Sequence, residues 1–180
     1  MQVEYVVIVN KNDMPLGTME KMEAHEKGIL HRAFSVFVFN SQNQLLLQKR
    51  ASEKYHSPDL WTNTVCSHPR AGEDTLDAGH RRLGEEMGMD CELKELFSFV
   101  YKAPVGNGLK EHEFDHVLVG FSDTKPVPNP EEASDFKYVG LEWVKKDMEE
   151  HPDQYTVWFK IAFKELLKHQ LDLLKMNQSH

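Results

Sequence analysis

The chain has 180 residues, of which 40% are hydrophobic, enough for one domain over residues 1–180 with a sizeable core. A formal charge of -8 and a pI near 5.7 exclude the basic footprint of a nucleic-acid partner. A mean hydropathy of -0.56, with no apolar run near the roughly 20 residues that cross a bilayer, excludes a membrane-spanning helix, and an anionic substrate would need a bound cation or converging Lys and Arg side chains.

Residues 1–9 alternate polar and apolar side chains without a basic stretch leading into an apolar one, so they read as mature sequence in a cytoplasmic protein. Residues 3–9 predict a strand and residues 11–15 its turn. Residues 34–39 and 45–48 predict a hairpin around residues 41–44. Leu76, Leu83 and Met87 recur at helical spacing between Asp74, a suitable N-cap, and Gly88, a suitable stop. Residues 96–101 and 114–121 read as strands, the prolines of residues 125–130 as a loop, and residues 136–143 as a further strand. From residue 156 to 174, Phe159, Phe163, Leu166, Leu167, Leu171 and Leu174 fall at helical intervals. The order predicts an α/β (α+β) chain, a mixed sheet covered by helices.

Four groups of residues carry possible chemistry. On an extended Glu111-His112-Glu113 segment both glutamates point one way, and Asp115 joins them. Adjacent carboxylates repel unless a cation or shared proton compensates, so the group is a metal site, a raised acid, or simply an exposed acidic edge. In Thr64-Val65-Cys66-Ser67-His68-Pro69 the same alternation brings together Cys66 and His68, either a reactive thiol beside an imidazole or a buried structural cysteine. His25 and His31, six apart, share no helical face but suit a loop wrapped around an ion. The helix through Arg81, Arg82, Glu85 and Glu86 is a charged face or something more specific. Cys66 and Cys91 are both expected as free thiols, Cys91 as a packing residue.

The spacing Ser67-x5-Glu73-x7-Arg81-Arg82-Leu83-x-Glu85-Glu86-x-Gly88-Met89 resembles the Nudix box, with Ser67 and Arg82 where that box has glycine and glutamate. Glu20-Lys21, His25, His31, the block from Trp61 to Pro69, Tyr101, Glu111-x-Glu113 and Trp158 resemble the type 1 isopentenyl-diphosphate isomerase family over nearly the whole chain. The resemblance implies a Nudix-type mixed sheet sandwiched by helices, and an isomerase that moves a double bond in a small allylic or homoallylic diphosphate. It implies His25, His31, His68, Glu111 and Glu113 around one divalent ion, whether Zn²⁺, Mn²⁺ or Mg²⁺. Glu86 would reach Mg²⁺ carried on the diphosphate, and Lys21, Arg50, Lys54 and Arg82 would hold phosphate oxygens. Cys66 and Glu113, the latter hydrogen-bonded with Tyr101, would handle protons on opposite faces, and Trp158 would face a carbocation. The chain is expected to act as a monomer or weak dimer. A Nudix hydrolase of a nucleoside diphosphate derivative is the main rival, opposed by Arg82, Cys66 and Trp158, and a silent diphosphate-binding module is the other.

Overall fold

The computed structural model describes residues 3–179, so residues 1, 2 and 180 of the expected domain lie outside the described residues. Strand β1 (Tyr5–Val9) pairs antiparallel with β2 (Pro15–Glu20), and helix α1 (Lys21–Lys27) leads into β3 (His31–Phe39). β4 (Gln44–Arg50), β5 (Trp61–Thr62) and β6 (Val65–Ser67) follow, then helix α2 (Thr75–Met87). The long hairpin of β7 (Leu93–Gly106) and β8 (Leu109–Phe121) precedes β9 (Ala133–Gly140), and helices α3 (Leu141–Glu150), α4 (Val157–Leu167) and α5 (Gln170–Gln178) complete the chain. Among the described residues no helix is long and apolar enough to cross a membrane.

The middle strand is β3. It runs parallel to β8 from His31 opposite Glu113 to Phe39 opposite Phe121, and antiparallel to β1, β4 and β6. Its run Phe34 to Phe39 is buried throughout and apolar at every position but Ser35, because both faces are covered. Phe34, Val36 and Val38, with Leu46 of β4 and Leu118 of β8, meet Ala78, Leu83 and Met87 of α2. Phe37 and Phe39, with Leu45, Leu47, Val117 and Val119, meet Phe159, Phe163 and Leu166 of α4 on the other side. The alternation of strand side chains thus feeds two cores, and helices sandwich the sheet as the sequence predicts. Truncating fully buried Leu83 to Ala would cost about 2–5 kcal/mol.

Helix α2 has the predicted ends. The Asp74 carboxylate accepts from the Leu76 and Asp77 amides, and Gly88 closes the helix with φ of 58°. A Cβ on Gly88 would also lie 2.5 Å from the Val127 carbonyl oxygen, so no other residue fits both the left-handed turn and the approach of the proline-rich loop.

Several expectations change. Pro15 starts an edge strand instead of ending a turn, a place where its missing N–H is harmless. α1 was not predicted, since seven residues carry no apolar stripe, yet Glu20 caps it and Gly28 ends it. Trp143 lies in α3, not in a strand, because β9 stops at Gly140. The last helix breaks between Leu167 and Gln170, which turns Leu171 and Leu174 outward, 74% and 51% exposed, and buries Leu173 in their place. His169 stacks on Phe97 with ring centroids 4.3 Å apart.

Candidate active site

His25 and His31 do not share a loop. His25 sits on α1, which packs on β8, and His31 opens β3 directly opposite Glu113. His68 follows β6, so three elements converge, with ring centroids of His31 5.0 Å from those of both His25 and His68. Both His25 and His31 are 0% exposed. The His25 Nδ1–H donates to the Lys21 carbonyl at 2.6 Å and the His31 Nδ1–H to the Ile29 carbonyl at 2.8 Å. These bonds leave the Nε2 lone pairs of both rings buried, with no hydrogen-bond partner among the described residues and aimed at the same place. Ligand atoms of His25, His31, His68 and Glu113 all lie within 4.8 Å of one another. Buried, tautomer-fixed imidazoles beside a carboxylate form a donor set that can hold a divalent ion.

The carboxylates come from alternate positions on β8, and Glu111, Glu113 and Asp115 are all buried. Glu113 Oε1 lies 3.3 Å from His68 Nε2 and 3.6 Å from His31 Nε2. Glu111 stands at the margin of this group, with Oε1 4.0 Å from His25 Nε2 and Oε2 accepting the Tyr101 hydroxyl, which also lies 3.1 Å from Glu113 Oε2. Burial, then the charge of Glu113, pushes the Glu111 carboxyl well above its usual range. Burial works in the same sense on Glu113, yet contacts with His31 and His68 hold it well below that range. Burial lowers His68 to about 4, so its imidazole is neutral.

Cys66 faces Ser35 across the β3–β6 pair. Its thiol donates to Asn63 Oδ1 at 2.9 Å, and the Asn63 amide is fixed because its NH₂ group donates to the carbonyls of Val36 and Val65. Burial, then the Asp115 charge, pushes the thiol pKa well up, so Cys66 is S–H at neutral pH. Asp115 accepts from Ser35 Oγ at 2.7 Å.

Cys66, His68, Tyr101, Glu86, Glu111, Glu113 and Trp158 line one cavity of about 640 Å³ together with Lys21, Arg50, Lys54 and Arg82. His25 and His31 lie behind that lining. Trp158, 4% exposed, packs its ring under Arg50, whose Cζ is 5.0 Å from the indole centroid. Arg50 also donates to the carbonyls of Ser57 and His56, both at 3.1 Å. Lys21 pairs with Glu4, and Lys54 with Glu132. Glu86, on α2, lies apart from the histidine group, accepting from Gln48 at 2.9 Å and pairing with Arg82. Arg82, where the box has glutamate, also meets Glu85 at 2.7 Å and Glu132 at 3.4 Å. Cys91 is remote from the cavity, with its thiol pushed by burial to about 11.

Residues that the sequence did not single out also reach the cavity. His56 is 4% exposed, its Nε2 4.0 Å from Glu111 Oε1 and its ring edge-on to Trp158 at 5.4 Å. Burial lowers it to about 3. Its sole sequence signal is its place between Lys54 and the block starting at Trp61. Glu4, alone in a largely apolar run, and Glu132, beside Glu131 in an irregular segment, carry no signal.

Residues 29–159 match the NUDIX domain family. The chain is 52% identical over 163 residues to the isopentenyl-diphosphate Delta-isomerase of Pectobacterium atrosepticum, covering 91% of each chain. It is 54% identical over 157 residues to isopentenyl-diphosphate Delta-isomerase 2 of Photorhabdus laumondii, covering 87% of this chain and 89% of that one. Among solved structures, DR0079 of Deinococcus radiodurans superposes with a TM-score of 0.75 at 22% identity, covering 90% of this chain and 98% of that one. A MutT protein of Methanosarcina mazei gives 0.64 at 13% identity, covering 78% and 95%. These two likenesses speak to the fold alone. On its NUDIX match and its two isomerase relatives, the chain belongs to the Nudix superfamily and, within it, to the isopentenyl-diphosphate Delta-isomerase family.

Proposed function

We propose that the chain interconverts isopentenyl diphosphate and dimethylallyl diphosphate, in isoprenoid biosynthesis, by adding a proton to one carbon of an alkene and removing one from another. The observation that carries this reading is a half-buried thiol, a buried carboxylate and an indole lining the same cavity as Lys21, Arg50, Lys54 and Arg82. Protonating an unactivated alkene makes a tertiary carbocation, which must be stabilised and kept from water. Cys66 and Glu113 are the proton carriers in this reading. The neutral thiol and ionised carboxylate favoured here hold one transferable proton between them, as an isomerisation requires. One group gives a proton and the other takes one. Tyr101 holds the carboxylate pair by its hydroxyl.

Trp158 offers the cation a ring face worth roughly 0.5–2 kcal/mol. Arg50, packed on that ring, sets the distance between the hydrocarbon and phosphate ends. Lys21, Arg50, Lys54 and Arg82 hold the diphosphate oxygens. His25, His31, His68 and Glu113, with Glu111 at the margin, hold the divalent ion, and imidazole donors suit Zn²⁺ or Mn²⁺ better than Mg²⁺. When bound, that ion fixes Glu113 and tunes its acidity. Glu86 faces Mg²⁺ brought by the substrate. Two free thiols and a water-soluble substrate suit the cytoplasm, and nothing in the reaction needs more than one 1–180 domain, as a monomer or weak dimer.

Hydrolysis of nucleotides is disfavoured because Arg82 replaces a box carboxylate and pairs with Glu85 and Glu86. Purified protein given isopentenyl diphosphate should form dimethylallyl diphosphate without releasing phosphate. Phosphate release from nucleoside diphosphate derivatives, with no isomer formed, would replace this reading by the hydrolase.

A further inference from the structure

Of the four cavity cations assigned to the diphosphate, three already have carboxylate partners. Lys21 pairs with Glu4, Lys54 with Glu132, and Arg82 with Glu85, Glu86 and Glu132. Arg50 gives its donors to backbone carbonyls instead.

The two counter-ions outside α2 are built differently. The Glu4 side chain is 63% exposed and serves one lysine. Glu132 is 21% exposed and joins two cations from separate elements, Lys54 from the loop after β4 and Arg82 from α2. Its backbone is anchored on both sides. The Glu132 N–H donates to the Asn129 carbonyl at 2.9 Å, and the Ala51 N–H donates to the Glu132 carbonyl at 3.0 Å. Asn129 in turn donates to the Glu86 carbonyl at 2.9 Å, so the segment is fastened to α2 as well as to the loop that carries Lys54. Glu4 can swing into solvent, whereas Glu132 is held at its post.

A bare diphosphate that approaches Lys54 and Arg82 must therefore meet the Glu132 carboxylate within the same few ångströms, where like charges repel strongly enough to set affinity. A divalent cation carried on the diphosphate reverses the sign of that encounter, because such cations take carboxylate oxygens as ligands. We propose that Glu132 is a specificity-determining residue that makes the site accept a diphosphate as its divalent-cation complex and reject the bare anion. The assignment rests on the reading that this cavity binds a diphosphate. It gives Glu132 the task of selecting the form of the ligand, separate from the cations that attract it.

Titration calorimetry with inorganic pyrophosphate tests this, in magnesium-free buffer without chelator and again with excess Mg²⁺. Glu132→Gln keeps the size and backbone anchors and removes the charge, and Glu132→Ala is the second variant. Both should bind bare pyrophosphate roughly tenfold more tightly than wild type and gain less from Mg²⁺, whereas Glu4→Gln should shift by less than about threefold. An unchanged preference for the magnesium complex in both Glu132 variants, or equal weakening of both forms, would overturn the assignment and leave the diphosphate reading standing. A wild-type protein that binds neither form would overturn both.

Discussion

The wall of the cavity built from α1, β3 and β8 is sealed, with Cys66 and His68 from β6 and just beyond it half-buried at its edge, while the wall that carries Lys21, Lys54, Arg82 and Glu132 stays open to water. On the sealed wall His25 and His31 are 0% exposed and Glu111 and Glu113 6%. There desolvation sets protonation, raising Glu111 and Cys66 and lowering His68. On the open wall Lys21 and Lys54 are compensated by ion pairs whose side chains are about a fifth exposed or more, such as Lys54 with Glu132 at 22% and 21%, whereas Arg82 also holds Glu86, 6% exposed. Solvent screens such pairs, so they contribute little stability and can be exchanged for a ligand. The contrast assigns chemistry to the dry side and recognition to the wet side.

The largest effect should come from the dry side. Glu113→Gln or Cys66→Ala should lower kcat by roughly 10²–10⁴-fold with little change in KM. Steady-state kinetics that showed a normal kcat in either variant would break the division.

A smaller effect sharpens it through pH. His56 and His68, near 3 and 4 when folded, bind no proton at pH 5, while unfolded imidazoles titrate near 6.5. Their contribution to stability is complete above about pH 6.5 and is lost as pH falls toward the folded values, on the order of 2 kcal/mol per histidine at pH 5. The raised carboxyls Glu111 and Asp115 act in the opposite sense, so the comparison needs a variant. In urea titrations without metal, wild type should lose about 2 kcal/mol more than His56→Phe between pH 7 and pH 5. Equal losses would show that this histidine is solvated after all.

The smallest effect lies outside both walls. Cys91→Ser should leave kcat and KM unchanged, since its thiol faces Gly120 and the segment after α2 rather than the cavity. A loss of rate would mean that the dry wall reaches further than the cavity lining.

How much of this was legible in the sequence followed from the range of the interactions. Helix α2 could be read from Asp74, Leu83 and Gly88 because its caps and apolar spacing are local. The shared face of Glu111, Glu113 and Asp115 could be read because strand alternation is local too. His25 and His31, expected in one loop around an ion, stand instead on separate elements. Their meeting depends on α1 packing on β8 and on the parallel pairing of β3 with β8, which no short window contains. Trp158 could be read only through the resemblance, since a tryptophan on an apolar helix is ordinarily core, and here it belongs to the core and to the cavity at once. His56 and Glu132 escaped because each acts alone from an irregular segment and meets its partners through contacts remote in sequence.

The most direct test of the whole account is proton NMR of isopentenyl diphosphate incubated with the protein in deuterated water, with Mg²⁺ and a trace of Zn²⁺ or Mn²⁺. The account predicts dimethylallyl diphosphate carrying deuterium, with no label gained in a Cys66→Ala or Glu113→Gln protein. Substrate that stayed intact and unlabelled with wild type would contradict it.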